Sequence, residues 1–394
     1  MSTIADVIII GGGPAGLATA FHLGRRGAST LLLEQHDFIN QAGSSAGVTR
    51  QFRIPYPDEY MVKLAVAAQP FWDELQNTTS LPLLVKVGTL WFGDPAVRST
   101  EGNIGAAEKS LTAAGVPYTT LSADDIQRDY PFTDLPDTYV GLFQPDGASI
   151  NLRATQQALL DANAANPNVT LRPRSPVLEI AESDGVFKVR TPDGVCVGRK
   201  LVITPGPYVD SVIHLLGFQI SATYWNMSSA YFRILDPTLT LPTWFVFQKP
   251  VGDNGNQFYG FPAVDWDYPG YIRVAPDFVM SVLEDPAKRS AQPNPQELAF
   301  TSAWVSDHMR GLDPTPAFTS TCLVALSTLP DKQMLLDFAP GFVPRSKDVV
   351  VFATGWAAKF TPLIGRILAD LTLDGSTSFD IAPFQLGDNF FSAL

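Results

Sequence analysis

The residues best placed to bind an anion lie near the start of the chain, in the stretch DVIIIGGGPAGLATAFHLGRRGASTLLLE (6–34). An apolar, β-branched run breaks there into three glycines and then into an Ala- and Leu-rich segment with helical spacing. Gly11 permits a tight turn, Gly13 lets backbone N–H groups approach a pyrophosphate, and Gly16 lets helix and strand pack closely. Glu34 ends the second apolar run, where a βαβ unit needs an acceptor for a ribose hydroxyl. The pattern predicts a dinucleotide site; a glycine-rich turn in an ordinary α/β protein is the alternative.

Two arginines follow in a polar segment, NQAGSSAGVTRQFRIPY (40–56). The segment is too long for a plain connection, and such segments beside a dinucleotide site usually cover the ligand. Arg50 and Arg53 are three positions apart, which predicts that they lie on one side of a helical turn. Ordinary surface arginines on a solvated loop explain the same spacing.

A second stretch with chemical potential lies near the C-terminus. The apolar run 348–355 ends in Gly355 and leads through WAAKFTP into a predicted helix, 363–373. A buried parallel strand directs its carboxyl end at the ligand crevice of an open sheet, which places Trp356 and Lys359 near the cofactor. The N-terminus of the following helix would stabilise anionic charge there.

The elements that position these residues indicate an α/β protein, α+β overall, with two interleaved domains. Helical periodicity predicts helices over 60–75, 106–114, 152–165 and 363–373, and the aromatic-rich segment 218–280 predicts a broad antiparallel sheet. We expect a Rossmann-type FAD-binding domain and an antiparallel-sheet substrate domain. The first comprises 1–84, 150–217 and 323–394, and the second comprises 85–149 and 218–322.

Composition narrows the class of protein. The chain has 394 residues, 45% of them hydrophobic, and a formal net charge of −12, which argues against nucleic acid or an anionic membrane surface as partner. It contains no apolar run of about 18 residues, so we expect no membrane span. The N-terminus enters the first predicted strand too early for a signal peptide, and we expect a cytoplasmic protein. The two cysteines, Cys196 and Cys322, are not expected to form a disulfide. On the sequence alone both are inert buried thiols.

Taken together, these motifs resemble the monomeric sarcosine oxidase family of covalent flavin amine oxidases. The similarity runs in order over nearly the whole chain and is carried by GGGPAG, AGSSAGVTRQFR, FYGFP, TSTCLVALSTLPDKQMLLD and TGWAAKFTPLIGR. The resemblance implies FAD as cofactor, with Cys322 matching the cysteine that forms a thioether to the flavin 8α-methyl. Arg50, in the covering segment, and Gly355, at the end of the apolar strand, are also expected at the cofactor site, and no metal is expected.

The resemblance implies a substrate site as well. Arg53 and Lys359 match the family's carboxylate-binding arginine and lysine, and Tyr259 matches a tyrosine of the same pocket. The family's flavin-face lysine corresponds to Arg273, which keeps a positive charge able to stabilise developing superoxide. Ala46 stands where sarcosine oxidases have a histidine, which makes sarcosine a doubtful substrate.

Three further residues place the chain beside a branch of the family that oxidises a cyclic imine carboxylate. Glu101, Asp277 and Trp356 are shared with that branch, and Asp277 replaces a second histidine of sarcosine oxidases. The carboxylates would accept a hydrogen bond from a ring nitrogen, and the indole would form a wall for a planar intermediate. Solvated surface acids and a packing tryptophan are the alternative interpretation.

The implied activity is oxidation of a cyclic or aromatic secondary amine or imine carboxylate, with hydride passed to FAD and oxygen reduced to hydrogen peroxide. An aromatised product in secondary metabolism and a monomeric protein are also expected. One rival is a flavin dehydrogenase with another electron acceptor, and a second is a flavin-binding protein without catalytic activity. The ending Ser392-Ala393-Leu394 only loosely resembles a peroxisomal signal.

Overall fold

The computed structural model describes residues 4–328, 334–353, 355–385 and 392–393. Within these ranges the α-helices are α1 (Pro14–Arg25), α2 (Glu59–Gln76), α3 (Ile104–Ala113), α4 (Ala123–Asp129), α5 (Leu152–Ala164), α6 (Val209–Ile213), α7 (Pro295–His308) and α8 (Thr361–Asp374). The strands are β1 (Ala5–Ile10), β2 (Thr30–Leu33), β3 (Thr49–Phe52), β4 (Leu84–Lys86), β5 (Thr89–Gly93), β6 (Thr119–Ser122), β7 (Val140–Gln144), β8 (Ala148–Asn151), β9 (Val169–Arg172), β10 (Glu179–Ser183), β11 (Val186–Thr191), β12 (Gly194–Ile203), β13 (Phe218–Gln219), β14 (Ala222–Arg233), β15 (Thr243–Phe247), β16 (Phe258–Phe261), β17 (Tyr271–Pro276), β18 (Val282–Leu283), β19 (Phe318–Ser327), β20 (Leu335–Phe338), β21 (Val349–Ala353) and β22 (Ser392–Ala393).

The first large sheet contains the predicted nucleotide unit. Its strand order is β10-β11-β12-β1-β2-β9, and β21 pairs in parallel with the C-terminal end of β12. Strands β1, β2 and β21 are almost continuously apolar because both of their faces are covered. Val7 and Ile9 pack with the helices of one face, whereas Ile8 and Ile10 pack into a separate core on the other.

Helices α1 and α8 cover this sheet and pack unusually closely. A Cβ atom at Gly365 would lie 2.4 Å from the backbone of Ala18 in α1, so only glycine allows this approach. Strands β1 and β21, which precede the two helices, are both parallel to β12, so both helices begin at the carboxyl edge of the same sheet. The glycine turn 11–13 and the segment around Lys359 therefore lie at the same edge of this sheet and line one cavity.

The second large sheet is mostly antiparallel. Its order is β18-β14-β17-β16-β15-β5-β7-β6, with β19 also paired to β14. The prediction of an antiparallel sheet over 218–280 is confirmed, although the sheet also recruits earlier and later strands. Its core is aromatic: the rings of Trp244 and Trp304 stack with centroids 5.2 Å apart. Smaller sheets join β3, β8 and β4, and β13 and β22.

The four predicted helices correspond to α2, α3, α5 and α8. The prediction of a helical turn carrying Arg50 and Arg53 is wrong. Residues 49–52 form β3, which pairs with β8, and all of them except Arg50 are buried in the sheet. The mixed α/β class is confirmed, and the proposed domain boundaries stay a prediction. The motif residues 329–333, Thr354 and Leu394 lie outside the described ranges.

No helix in the described part of the chain is long and apolar enough to cross a membrane. Cys196 is buried, as predicted, and its sulfur lies 3.2 Å from Nη1 of Arg172.

Candidate active site

One cavity of about 340 Å³ runs between the two large sheets. It begins at the β1–α1 turn, passes under the segment 42–50 and ends among side chains of the second sheet and the segment after β21. Gly16 is the only predicted site residue that does not line it; those that do are Gly11, Gly13, Glu34, Arg50, Arg53, Glu101, Tyr259, Arg273, Asp277, Cys322, Gly355, Trp356 and Lys359. The fold therefore brings together residues from distant parts of the sequence.

The glycine turn has the geometry that the sequence predicts. Gly11 has φ +109°, and a Cβ there would lie 2.4 Å from the carbonyl oxygen of Thr204. A Cβ at Gly16 would lie 1.9 Å from the carbonyl oxygen of Gly11, so the helix could not pack on the turn. At Gly13 a Cβ would meet nothing within 4 Å, and no side chain caps α1. The first N–H groups of α1 are open toward the cavity and fit an anionic diphosphate.

Glu34 lies at the end of β2 and is buried. Its Oε2 accepts a hydrogen bond from the Gly12 N–H at 2.8 Å, and its Oε1 accepts one from the His36 N–H at 2.9 Å. These contacts fix the carboxylate beside the glycine turn. An ionised carboxylate has further acceptor capacity, so its position fits a ribose hydroxyl.

Arg50 shapes the segment that covers the cavity. Its Nη2 donates to the carbonyl oxygens of Ser44 and Ala46 at 2.7 and 2.5 Å, and its Nη1 donates to that of Thr49 at 2.8 Å. The guanidinium therefore holds a polar loop together from within. Although the helical turn was wrong, both Arg50 and Arg53 reach the cavity.

Arg53 is almost completely buried, with a relative exposure of 1%, and forms an ion pair with Glu101, which is 4% exposed. Its Nη1 also donates to the carbonyl oxygen of Pro55 at 3.1 Å. The guanidinium lies over the rings of Tyr56 and Trp91, 4.3 and 5.0 Å from their centroids. Burial lowers the pKa of Arg53, and the nearby groups offset part of this effect.

Lys359 supplies a second buried cation. Its Nζ donates to the carbonyl oxygen of Trp356 at 2.9 Å, and its own carbonyl accepts from the Trp72 indole at 2.7 Å. Burial lowers the pKa of Lys359 to about 8. The half-buried Trp356 ring lies at the cavity wall, and the N–H of Gly355 donates to the carbonyl oxygen of Ala325 at 2.8 Å, which ties this segment to β19.

Tyr56 lies beside both cations, and the sequence analysis did not predict it as a site residue. Burial raises the pKa of this phenol, but the charges of Lys359 and Arg53 more than offset the effect, so the pKa is lowered. Tyr56 therefore couples the two cations electrostatically. Its position shortly after Arg53 was the one sequence feature that pointed to a role in the site. That feature does not distinguish Tyr56 from an aromatic residue of the core.

Asp277 faces the same end of the cavity. Its Oδ2 accepts a hydrogen bond from the Thr100 hydroxyl at 3.2 Å. Burial raises the pKa of Asp277 to about 7, although Thr100 and the charge of Arg53 act in the opposite direction. A carboxyl group with this pKa can hold or release a proton near neutral pH. The turn 99–102 thus carries Glu101 to Arg53 and Thr100 to Asp277.

Arg273, Tyr259 and Cys322 come from three strands of the second sheet. Nη2 of Arg273 donates to the carbonyl oxygen of Thr49 at 2.8 Å, and its guanidinium lies 3.8 Å from the ring centroid of Phe261. Burial raises the pKa of Tyr259, and a negative charge on the nearby Cys322 would raise it further. Cys322 itself is half-buried on β19 and lines the cavity.

Known proteins resemble this chain over nearly its whole length. Residues 6–371 match the family model described as FAD dependent oxidoreductase. The solved structure of the open form of NikD, an unusual amino acid oxidase essential for nikkomycin biosynthesis, superposes with a TM-score of 0.91 and 35% identity over 98% of both chains. A Dictyostelium discoideum protein described as a bifunctional amine oxidase is 33% identical over 97% of this chain, which spans 37% of that relative's length. Human peroxisomal sarcosine oxidase is 27% identical over 97% of this chain and 95% of its own.

Proposed function

Because the chain belongs to the family of FAD-dependent oxidoreductases, we propose that it oxidises an amino or imino acid by removing hydride from a carbon next to nitrogen. The observation that carries this proposal is the cavity that joins the glycine turn to buried cations and acids. When bound, FAD supplies the ring that accepts the hydride and passes two electrons to oxygen, giving hydrogen peroxide.

The residues of the first sheet fit FAD. The open N–H groups of α1 would hold the diphosphate and Glu34 a ribose hydroxyl, while Arg50 keeps the covering segment in place. We propose that Cys322 is joined to the flavin 8α-methyl through a thioether. Its position in the cavity wall supports this role because the thiol is accessible from the interior.

Arg53 and Lys359 are proposed to bind the substrate carboxylate. No carboxylate of the described residues forms an ion pair with Lys359, whereas Arg53 already pairs with Glu101. A buried cation without a counter-ion is costly, so an incoming carboxylate has a favourable partner in Lys359. The planar guanidinium of Arg53 adds N–H donors for the carboxylate, and the rings of Tyr56 and Trp91 around it exclude water.

Asp277 and Arg273 are proposed to act on the reacting groups. With a pKa of about 7, Asp277 can take a proton from the substrate nitrogen or return it, which a second oxidation of a cyclic imine requires. Arg273 presents a positive charge for developing superoxide. Tyr259 and Trp356 would form walls for a planar ring. The preferred substrates are therefore cyclic or aromatic amines or imines with one carboxylate.

The product of two such oxidations would be an aromatic carboxylate. We propose that this reaction serves secondary metabolism, by analogy with NikD, which is described as essential for nikkomycin biosynthesis. We also propose that the protein is a cytoplasmic monomer, which analytical ultracentrifugation and cell fractionation would test.

The function is tested by anaerobic mixing of the purified holoprotein with proline, pipecolate, piperideine-2-carboxylate and sarcosine. We expect flavin bleaching by a cyclic substrate, none by its decarboxylated counterpart, and two peroxides with picolinate per piperideine-2-carboxylate once oxygen is admitted. Bleaching without peroxide on admission of oxygen would favour a dehydrogenase. If no carboxylated amine bleaches bound flavin, the oxidase proposal is wrong and a flavin-binding protein without catalytic activity is favoured.

A further inference from the structure

We propose that Asp267 is a positioning residue that acts as the counter-ion of Arg273 and limits the positive charge presented to the flavin. This inference rests on the proposed function, in which Arg273 lies at the flavin. Asp267 itself does not line the cavity, whereas Arg273 does. The acid therefore acts from behind the arginine rather than by touching a ligand.

The geometry identifies Asp267 as the charged partner of this guanidinium. Nη1 of Arg273 lies 3.9 Å from Oδ2 of Asp267, and both residues are buried. The guanidinium also faces the Tyr231 hydroxyl, and it contacts the uncharged carbonyl of Thr49 and the ring of Phe261. Those two contacts are independent of Asp267, so they would keep the arginine at the cavity wall if the carboxylate were neutralised.

The surroundings of Asp267 indicate that its burial depends on the ion pair with Arg273. Its Oδ2 accepts one hydrogen bond, from the Tyr231 hydroxyl at 3.3 Å. Among the described residues, its Oδ1 has no hydrogen-bond partner. An ionised carboxylate with so few donors is unfavourable inside a protein unless a cation compensates its charge. Tyr231 faces Arg273 on the neighbouring strand β14, so the phenol, the acid and the arginine form one cluster.

The consequence for the cofactor follows from the sign of the charges. An uncompensated guanidinium favours any anion formed at the flavin, and a carboxylate behind it weakens that effect. Removal of the Asp267 charge should therefore stabilise an anionic flavin adduct. Sulfite is a suitable probe because it adds to oxidised flavin, forming a bond from sulfur to N5 and an anionic adduct with bleached absorbance.

The test compares sulfite dissociation constants of the FAD-loaded wild-type protein and three variants. Asp267→Asn should bind sulfite about tenfold more tightly, since one negative charge is lost at short range in a buried site. Asp267→Glu should remain close to wild type because the charge is kept. Asp265→Asn is the matched control: this exposed acid lies two positions away in the same turn, and its loss should leave the constant unchanged.

Unchanged or weaker sulfite binding in folded, FAD-loaded Asp267→Asn would overturn the proposal. If that variant does not fold, Arg273→Gln is compared with the double variant Arg273→Gln/Asp267→Asn, and the double variant should bind sulfite more tightly because a lone buried acid has been neutralised. Equal binding in these two would also overturn it. A wild-type protein that binds no FAD would instead overturn the proposed function, so the two failures are distinguishable.

Discussion

The buried ion pair of Arg53 and Glu101 allows a prediction about both stability and ligand binding. With exposures of 1% and 4%, neither charge is compensated by solvent. Removal of one partner from such a pair costs about 3 to 5 kcal/mol in the free energy of unfolding, so Glu101→Gln should lose roughly 3 kcal/mol. A carboxylate ligand can replace the missing charge. If it recovers about half of this loss, roughly 1.5 kcal/mol, its affinity rises about tenfold.

Benzoate is a suitable ligand because it has one carboxylate and a planar ring but no oxidisable amine. Its dissociation constant is measured by flavin absorbance, and stability by urea unfolding with and without saturating benzoate. Glu59→Gln is the control, because its pair with Lys63 is exposed, 66% at the lysine and 44% at the glutamate, and should contribute less than about 1 kcal/mol. Unchanged or weaker benzoate binding by folded Glu101→Gln would refute the reasoning that Glu101 occupies Arg53 in competition with the ligand.

Three further predictions concern the cofactor, the proton and the core. Wild-type protein should remain yellow after acid precipitation and Cys322→Ser should release its flavin; release by the wild type would disprove the thioether. Asp277→Asn should abolish the change in kcat/KM near pH 7, and a retained transition at that pH would exclude Asp277 as its source. The variant should also slow the second oxidation more than the first, which is measured by counting peroxide in single turnovers. Burial lowers the pKa of His22 from 6.5 to about 4, so the folded state favours the neutral ring. The neutral ring should stabilise the folded state fully, by about 3 kcal/mol, above pH 6.5, and this stabilisation should decline as the pH falls to 4. The free energy of unfolding of His22→Gln, measured against pH, should lack this decline.

The features that the sequence alone determined are those set by neighbouring residues. The glycines at 11 and 16 were predictable because a side chain there would collide with nearby backbone, a requirement that appears as spacing within one short motif. Helices α2 and α8 were predictable because their apolar residues recur with the helical period and face one core. The residues recognised by resemblance line one cavity, and their roles there stay predictions.

The tertiary structure alone decided which charges meet. Arg50 and Arg53 were assigned to a helical turn because their spacing permits it, but pairing with β8 made the segment a strand. Glu101 reaches Arg53 only because the turn 99–102 packs against the segment that follows β3, 48 positions earlier in the chain. Local periodicity records which face of an element is apolar, whereas the partner of a buried charge depends on contacts between segments far apart in the chain. Electrostatic partnership in this site therefore required the assembled fold.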